Sequence, residues 1–182
     1  MRIAVTGTHG SGKTTLIEDF CIANPHYEHV AEPYWLLAQQ GVVFADGPSV
    51  ADLEEQLKQS CSLILETSET NVVFDRCPLD FLAYLDVVSA GEGFEWSPDG
   101  KLLVRIEKAL ASLDRVVFVP LRRPDDITVS IEFPKLRLRV DARLKTMLRE
   151  DDLGLLVDGP QVVEVAGARQ ERVARLGQLG IG

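Results

Sequence analysis

The chain has 182 residues and 46% hydrophobic content, enough for one domain with a sizeable core. Its net charge of −9 argues against nucleic acid as a partner, because phosphate backbones are bound mainly by excess positive charge. No apolar run approaches the roughly 18 residues of a membrane span, and no leader pattern precedes the first strand. Cys21, Cys61 and Cys77 are odd in number and far apart. Reduced thiols and a cytoplasmic location are therefore expected, with a disulfide framework disfavoured.

Arg2-Ile3-Ala4-Val5 is a short apolar run that reads as a buried strand. It leads into Gly7-Thr8-His9-Gly10-Ser11-Gly12-Lys13-Thr14, which fits G-x-x-x-x-G-K-[ST] at every required position. Thr15 and the residues after it open a helix that is expected to end near Ala23, where Asn24-Pro25 breaks it. The spacing has a direct physical reason. Glycines let the backbone curl so that successive N–H groups point at an anion. The following helix adds its positive N-terminal end. Lys13 supplies a point charge for β- and γ-phosphates, and the Thr14 hydroxyl is placed to ligate Mg²⁺. Residues 7–15 are thus expected to bind ATP with Mg²⁺.

Residues 27–31 read as a second strand, closed by Glu32-Pro33. His26 and His29 are three apart, which on a strand turns the rings to opposite faces. No Cys or carboxylate cluster completes a ligand set, so no metal site is expected there. Residues 34–40 read as a short helix. Ser49-Val50-Ala51-Asp52 resembles a capping box and opens a helix with Leu53, Leu57, Cys61, Ile64 and Leu65 on one face. Residues 71–74 form a third apolar strand ending in Asp75-Arg76. Pro78 opens a helix through Val88, and a further helix spans 101–113. Residues 115–119 are a fourth strand. Between 121 and 149, eight basic residues (Arg122, Arg123, Lys135, Arg137, Arg139, Arg143, Lys145, Arg149) face four acidic ones (Asp125, Asp126, Glu132, Asp141). This local excess of +4, with a helix over 136–149, reads either as an arginine-bearing lid or as a solvated helix face. A fifth strand covers 161–165 and a final helix 168–179.

Strands alternating with helices mean a parallel sheet covered on both faces. The expected fold class is α/β, a three-layer P-loop arrangement of five parallel strands. Residues 1–182 make a single domain, with a lid at about 121–149. Ligands of such folds sit at the carboxyl ends of the strands, near the topological switch point. That rule nominates the phosphate loop, Glu32, Asp75 with Arg76, Arg122 with Arg123, and Gly167-Ala168-Arg169. Asp75 reads as a carboxylate on the Mg²⁺ side or as an N-cap for the next helix. Arg76 is a bidentate anion clamp or a structural ion pair. Glu32 orients an acceptor hydroxyl and takes its proton, or is an exposed loop glutamate. Arg139 and Arg143, four apart on one helix face, are suited to close over a transferred phosphoryl group.

With Gly7 to Thr14, Glu32-Pro33, Asp75-Arg76, Arg137 to Arg143 and Val165-Ala166-Gly167 assembled, the chain resembles the P-loop kinases of nucleosides and nucleotides. It is most similar to the small AAA-type ATPase/kinase group that includes nicotinamide riboside kinase-like domains. The resemblance implies that Glu32 acts on the acceptor hydroxyl, that Asp75 and Arg76 steady the site, and that Arg139 and Arg143 serve in the lid. It places Gly167 and Arg169 near the adenine. The implied activity is ATP- and Mg²⁺-dependent phosphoryl transfer to a nucleoside, a nicotinamide riboside-like compound or a nucleotide. The alternative is a regulatory ATPase with no small-molecule acceptor. Guanine specificity is disfavoured, because no N-K-x-D or T-K-x-D stretch occurs.

Overall fold

The computed structural model describes residues 1–121 and 132–179, and strand β1 (Arg2–Thr6) runs through its centre. Ile3, Ala4 and Val5 are fully buried because β1 pairs on both edges, with β3 (Val72–Asp75) and β4 (Arg115–Phe118). The outer strands are β2 (Glu28–Val30) and β5 (Gln161–Glu164), giving the order β2-β3-β1-β4-β5 with every pair parallel. The expected second strand is shorter than residues 27–31. It pairs with β3 only from Glu28 to Val30, and as an edge strand it leaves Glu28 and His29 exposed.

Side chains of a strand alternate between faces, and the core divides accordingly. Ala4, Phe74, Val116 and Phe118 pack under α3 (Val50–Glu66), α4 (Pro78–Gly91), α5 (Gly100–Ala111) and α6 (Pro134–Glu150). Ile3, Val5, Val73 and Val117 pack under α1 (Lys13–Ala23) and α7 (Arg169–Leu179). Three layers result, as expected. The short α2 (Pro33–Gln39) follows β2 directly. Helix α4 is apolar all round, and it packs against α3, α5 and α6 as such a helix must. Ser49 caps α3, its Oγ accepting from Asp52 N–H at 3.2 Å. The Asp52 carboxylate accepts from Ala45 N–H instead of closing the reciprocal half of the box.

No helix of the described residues is long and apolar enough to cross a membrane. All three cysteines are free thiols, and burial pushes the Cys61 thiol up to about 12. Arg2 staples the bottom of the sheet. Its guanidinium donates to the carbonyls of Ser112, Thr67, Glu69 and Ile64, the last within the final turn of α3. It also lies 5.4 Å from the Phe74 ring centroid. Arg2→Ala strips those carbonyls of their donor and is expected to cost about 1–3 kcal/mol. The urea midpoint checks this: it should fall with the m-value unchanged.

Candidate active site

The phosphate loop leaves β1 through Gly7, whose φ is 152°. A Cβ there would stand 2.6 Å from the Val119 carbonyl oxygen and 2.8 Å from Ser11 Oγ, so only glycine fits. Gly12 caps α1 in the left-handed region at φ 88° and has no side chain to bond the first helical N–H groups. They stay available for an anion. Lys13 is buried, and its ammonium donates to the Thr8 carbonyl at 3.1 Å. Burial, and then the Arg76 charge, lower its pKa to about 8 against the pull of Asp75, Asp80 and Glu32.

Thr14 Oγ1 donates to Asp75 Oδ2 at 2.7 Å. Asp75 Oδ1 is buried without a hydrogen-bond partner among the described residues. A leftover carboxylate oxygen beside the phosphate-loop threonine fits a Mg²⁺ site made of Thr14 and Asp75. Asp75 is not the cap of α4. That position is Cys77, whose N–H donates to Asp80 Oδ2 at 3.0 Å.

Arg76 holds a φ of 81°, a conformation that costs a non-glycine residue about 1–3 kcal/mol unless its surroundings enforce it. They do. Its guanidinium donates to Glu32 Oε2 at 3.2 Å, to the Gly7 carbonyl at 3.3 Å and to Asp80 Oδ1 at 3.3 Å. It also sits 5.5 Å from the Tyr84 ring centroid. Asp80, which is fully buried, accepts in addition from Gly7 N–H at 3.0 Å. Burial pushes the Glu32 carboxyl up, but the Arg76 and Lys13 charges outweigh it and hold the group below its ordinary value. Glu32 is therefore ionised at neutral pH.

His9 ties the loop to α4 and to the start of α6. Its N–H donates to Tyr84 Oη at 2.9 Å, and its ring nitrogens contact Tyr84 Oη at 2.7 Å and the Glu132 carbonyl at 2.9 Å. A carbonyl only accepts, so Nε2 carries the proton and Nδ1 accepts from the tyrosine. Arg137 is buried and donates to the carbonyls of His9 and Gly10, each at 2.9 Å. Arg172, also buried, donates to the carbonyls of Ser11 and Gly167, each at 2.9 Å. The expected positions of Arg139 and Arg143 over the phosphates need correction. Arg139 is exposed. Arg143 pairs with Asp86 at 2.6 Å and Asp152 at 2.5 Å, and it lines a separate cavity of about 490 Å³ beyond α4. The four-residue spacing does give them one face, but α6 turns that face away and presents Arg137. Arg169 pairs with Asp19 at 2.6 Å on the surface, so the residue of α7 that reaches the phosphate loop is Arg172. Arg122 and Arg123 lie outside the described residues.

Beside the loop opens a cavity of about 600 Å³ lined by His9, Glu32, Tyr34, Arg76, Phe81 and Tyr84, among others. Glu32 and Arg76 thus share this lining with Tyr34 and Trp35 of α2 and with Phe81 and Tyr84 of α4. Sequence reasoning missed Asp80, whose role depends on contacts 73 residues away. It also missed the loop-fixing roles of Arg137, Arg172 and the Tyr84 hydroxyl. Only Arg137 had a local signal, as a neighbour of the two arginines chosen.

A family model described as an AAA domain matches residues 2–172. The chain belongs to this AAA domain family. Similar solved structures include deoxyadenosine kinase from M. mycoides, at 16% identity and TM-score 0.67, covering 99% of this chain and 98% of that one. Thymidylate kinase from Candida albicans matches at 13% identity and TM-score 0.62, covering 97% and 89%. A NadR protein in complex with NR matches at 15% identity and TM-score 0.62, covering 97% of this chain and 50% of that one. At such identities the likeness shows the fold, an α/β P-loop kinase fold. No curated protein sequence matches the chain significantly.

Two outcomes follow from the geometry. Arg137→Ala should weaken triphosphate binding at least about tenfold, equivalent to about 1.4 kcal/mol, and Arg143→Ala should leave it within about threefold; calorimetric titration distinguishes them. A bound polyanion favours charged Lys13 and raises its pKa above the free value of about 8. The complex then holds more protons than the free protein above that pH. Affinity should be greatest below pH 8 and fall as pH rises through it, by up to about tenfold per unit. Titrations at pH 8.5 in buffers of different ionisation enthalpy should show proton uptake.

Proposed function

We propose that this protein is an ATP- and Mg²⁺-dependent kinase that transfers the γ-phosphoryl group to a hydroxyl of a nucleoside, a nicotinamide riboside-like compound or a nucleotide. The observation that carries this reading is the cavity of about 600 Å³ adjoining the phosphate loop, with Glu32 and Arg76 in its wall. A regulatory ATPase has no use for such a space. The three free thiols support a reducing, cytoplasmic setting.

In this reading the loop N–H groups and the N-terminus of α1 hold the phosphates. Lys13 leaves the Thr8 carbonyl and pairs with the β- and γ-oxygens, regaining the charge partner that burial withholds. Thr14 and Asp75 would hold Mg²⁺, which when bound neutralises charge on the phosphate oxygens. Ionised Glu32 accepts a hydrogen bond from the acceptor hydroxyl, orients it and takes its proton late in transfer. Arg76 keeps Glu32 in place and ionised through their contact at 3.2 Å. Gly167, joined to the loop through Arg172, is assigned to the adenine side, whereas Arg169 pairs with Asp19 at the surface.

Glu32→Gln should cut phosphoryl transfer by at least about 10²-fold with nucleotide binding nearly intact. Lys13→Ala should abolish productive nucleotide binding. ADP release and direct titration measure both; unchanged turnover in Glu32→Gln removes its assigned role, and retained activity in Lys13→Ala removes the kinase reading. A screen of nucleosides, deoxynucleosides, nicotinamide riboside and their monophosphates, read by ADP release, identifies the acceptor.

A further inference from the structure

We infer that the phosphoryl acceptor carries no anionic group, so that the cavity takes a nucleoside-type compound and rejects its monophosphate. This rests on the kinase reading above and names the substrate class within it.

Three carboxylates besides Glu32 line the cavity: Asp46, Asp52 and Glu132. Among the described residues lining it, the cation is Arg76, His9 being a neutral imidazole, and the polar groups of both are committed. The Arg76 guanidinium donates to two carboxylates, Glu32 and Asp80, and to the Gly7 carbonyl. Both His9 ring nitrogens are engaged, by Tyr84 Oη and by the Glu132 carbonyl. An acceptor phosphate is held by guanidinium or ammonium groups free to pair with it. Among the described residues lining this cavity the surplus charge is negative instead, and a phosphate dianion brought in would meet like charge.

Much of the remaining wall is aromatic. Tyr34 and Phe44 stack with centroids 4.6 Å apart and planes 24° apart, and Trp35 stands edge-on to Tyr34 at 5.3 Å. Phe133 lies over Gly47, its ring 3.6 Å from where a Cβ would stand. Such faces suit a flat heteroaromatic base. The carboxylates accept hydrogen bonds from amino and hydroxyl groups and tolerate positive charge on the base. After transfer the product bears the group the lining repels, which favours its departure.

The test presents the full chain, with ATP and Mg²⁺, with matched pairs: adenosine and its monophosphate, thymidine and its monophosphate, nicotinamide riboside and its mononucleotide. Turnover is read as kcat/KM, and binding is read separately by calorimetry. The nucleoside of the productive pair should be favoured at least about 100-fold. The double variant D46N/E132Q alters two exposed positions and should narrow that ratio at least about fivefold. A monophosphate that binds or reacts as well as its nucleoside overturns the inference while the kinase reading stands. So does an unchanged ratio in the double variant, or the absence of binding by any nucleoside. Nucleosides that bind in preference to their monophosphates without receiving phosphate from ATP support the charge selection and remove the kinase reading.

Discussion

Five consecutive carbonyls of the phosphate loop, from Gly7 to Ser11, each accept a hydrogen bond from a cationic side chain. Arg76 takes Gly7, Lys13 takes Thr8, Arg137 takes His9 and Gly10, and Arg172 takes Ser11. The rest of the site depends on this arrangement. A loop curled to point its N–H groups inward must turn its carbonyls outward, and buried carbonyls need donors. Guanidinium and ammonium donors satisfy them and add positive potential around the anion position. The donors come from the β3–α4 corner, α1, α6 and α7, so the loop is complete only when all three layers have docked.

Asp80 makes the corner beneath the loop rigid. It caps α4 through Cys77, holds Gly7 N–H, and faces Arg76 at 3.3 Å. Removing one partner from a buried, hydrogen-bonded charge pair typically costs about 3–5 kcal/mol, because the other charge is left uncompensated. The same contacts enforce the left-handed backbone at Arg76, which aims its guanidinium back toward Glu32 and the loop. Strain here accompanies function: an Arg76 relaxed into ordinary β backbone would point elsewhere.

Helix α4 links the phosphate loop and the cavity beside it. Its first turns carry Asp80, Phe81 and Tyr84, one tying down the loop, one walling the cavity and one doing both. A helix buried on every side can hold such groups to within fractions of an ångström, because close-packed neighbours leave it no room to shift. Further along, Asp86 faces the opposite way and takes Arg143, which accounts for the removal of that arginine from the phosphate side.

The amino-acid sequence by itself determined the phosphate loop, the parallel α/β sheet, and the places of Glu32, Asp75 and Arg76 at strand ends. Each rests on local rules: glycine spacing, apolar strand runs, and the confinement of ligands to carboxyl ends of parallel strands. Helix boundaries agreed to within a few residues for the same reason. Which arginines serve the loop was decided only by the tertiary structure. Arg137, Arg139 and Arg143 look equivalent along the chain, and the rotation of α6 about its axis alone separates the buried one from the exposed and the diverted ones. Arg172 and Asp80 were invisible for a related reason, since their partners lie 161 and 73 residues away. Spacing in a sequence specifies which residues share a face; packing against the rest of the protein specifies what that face meets.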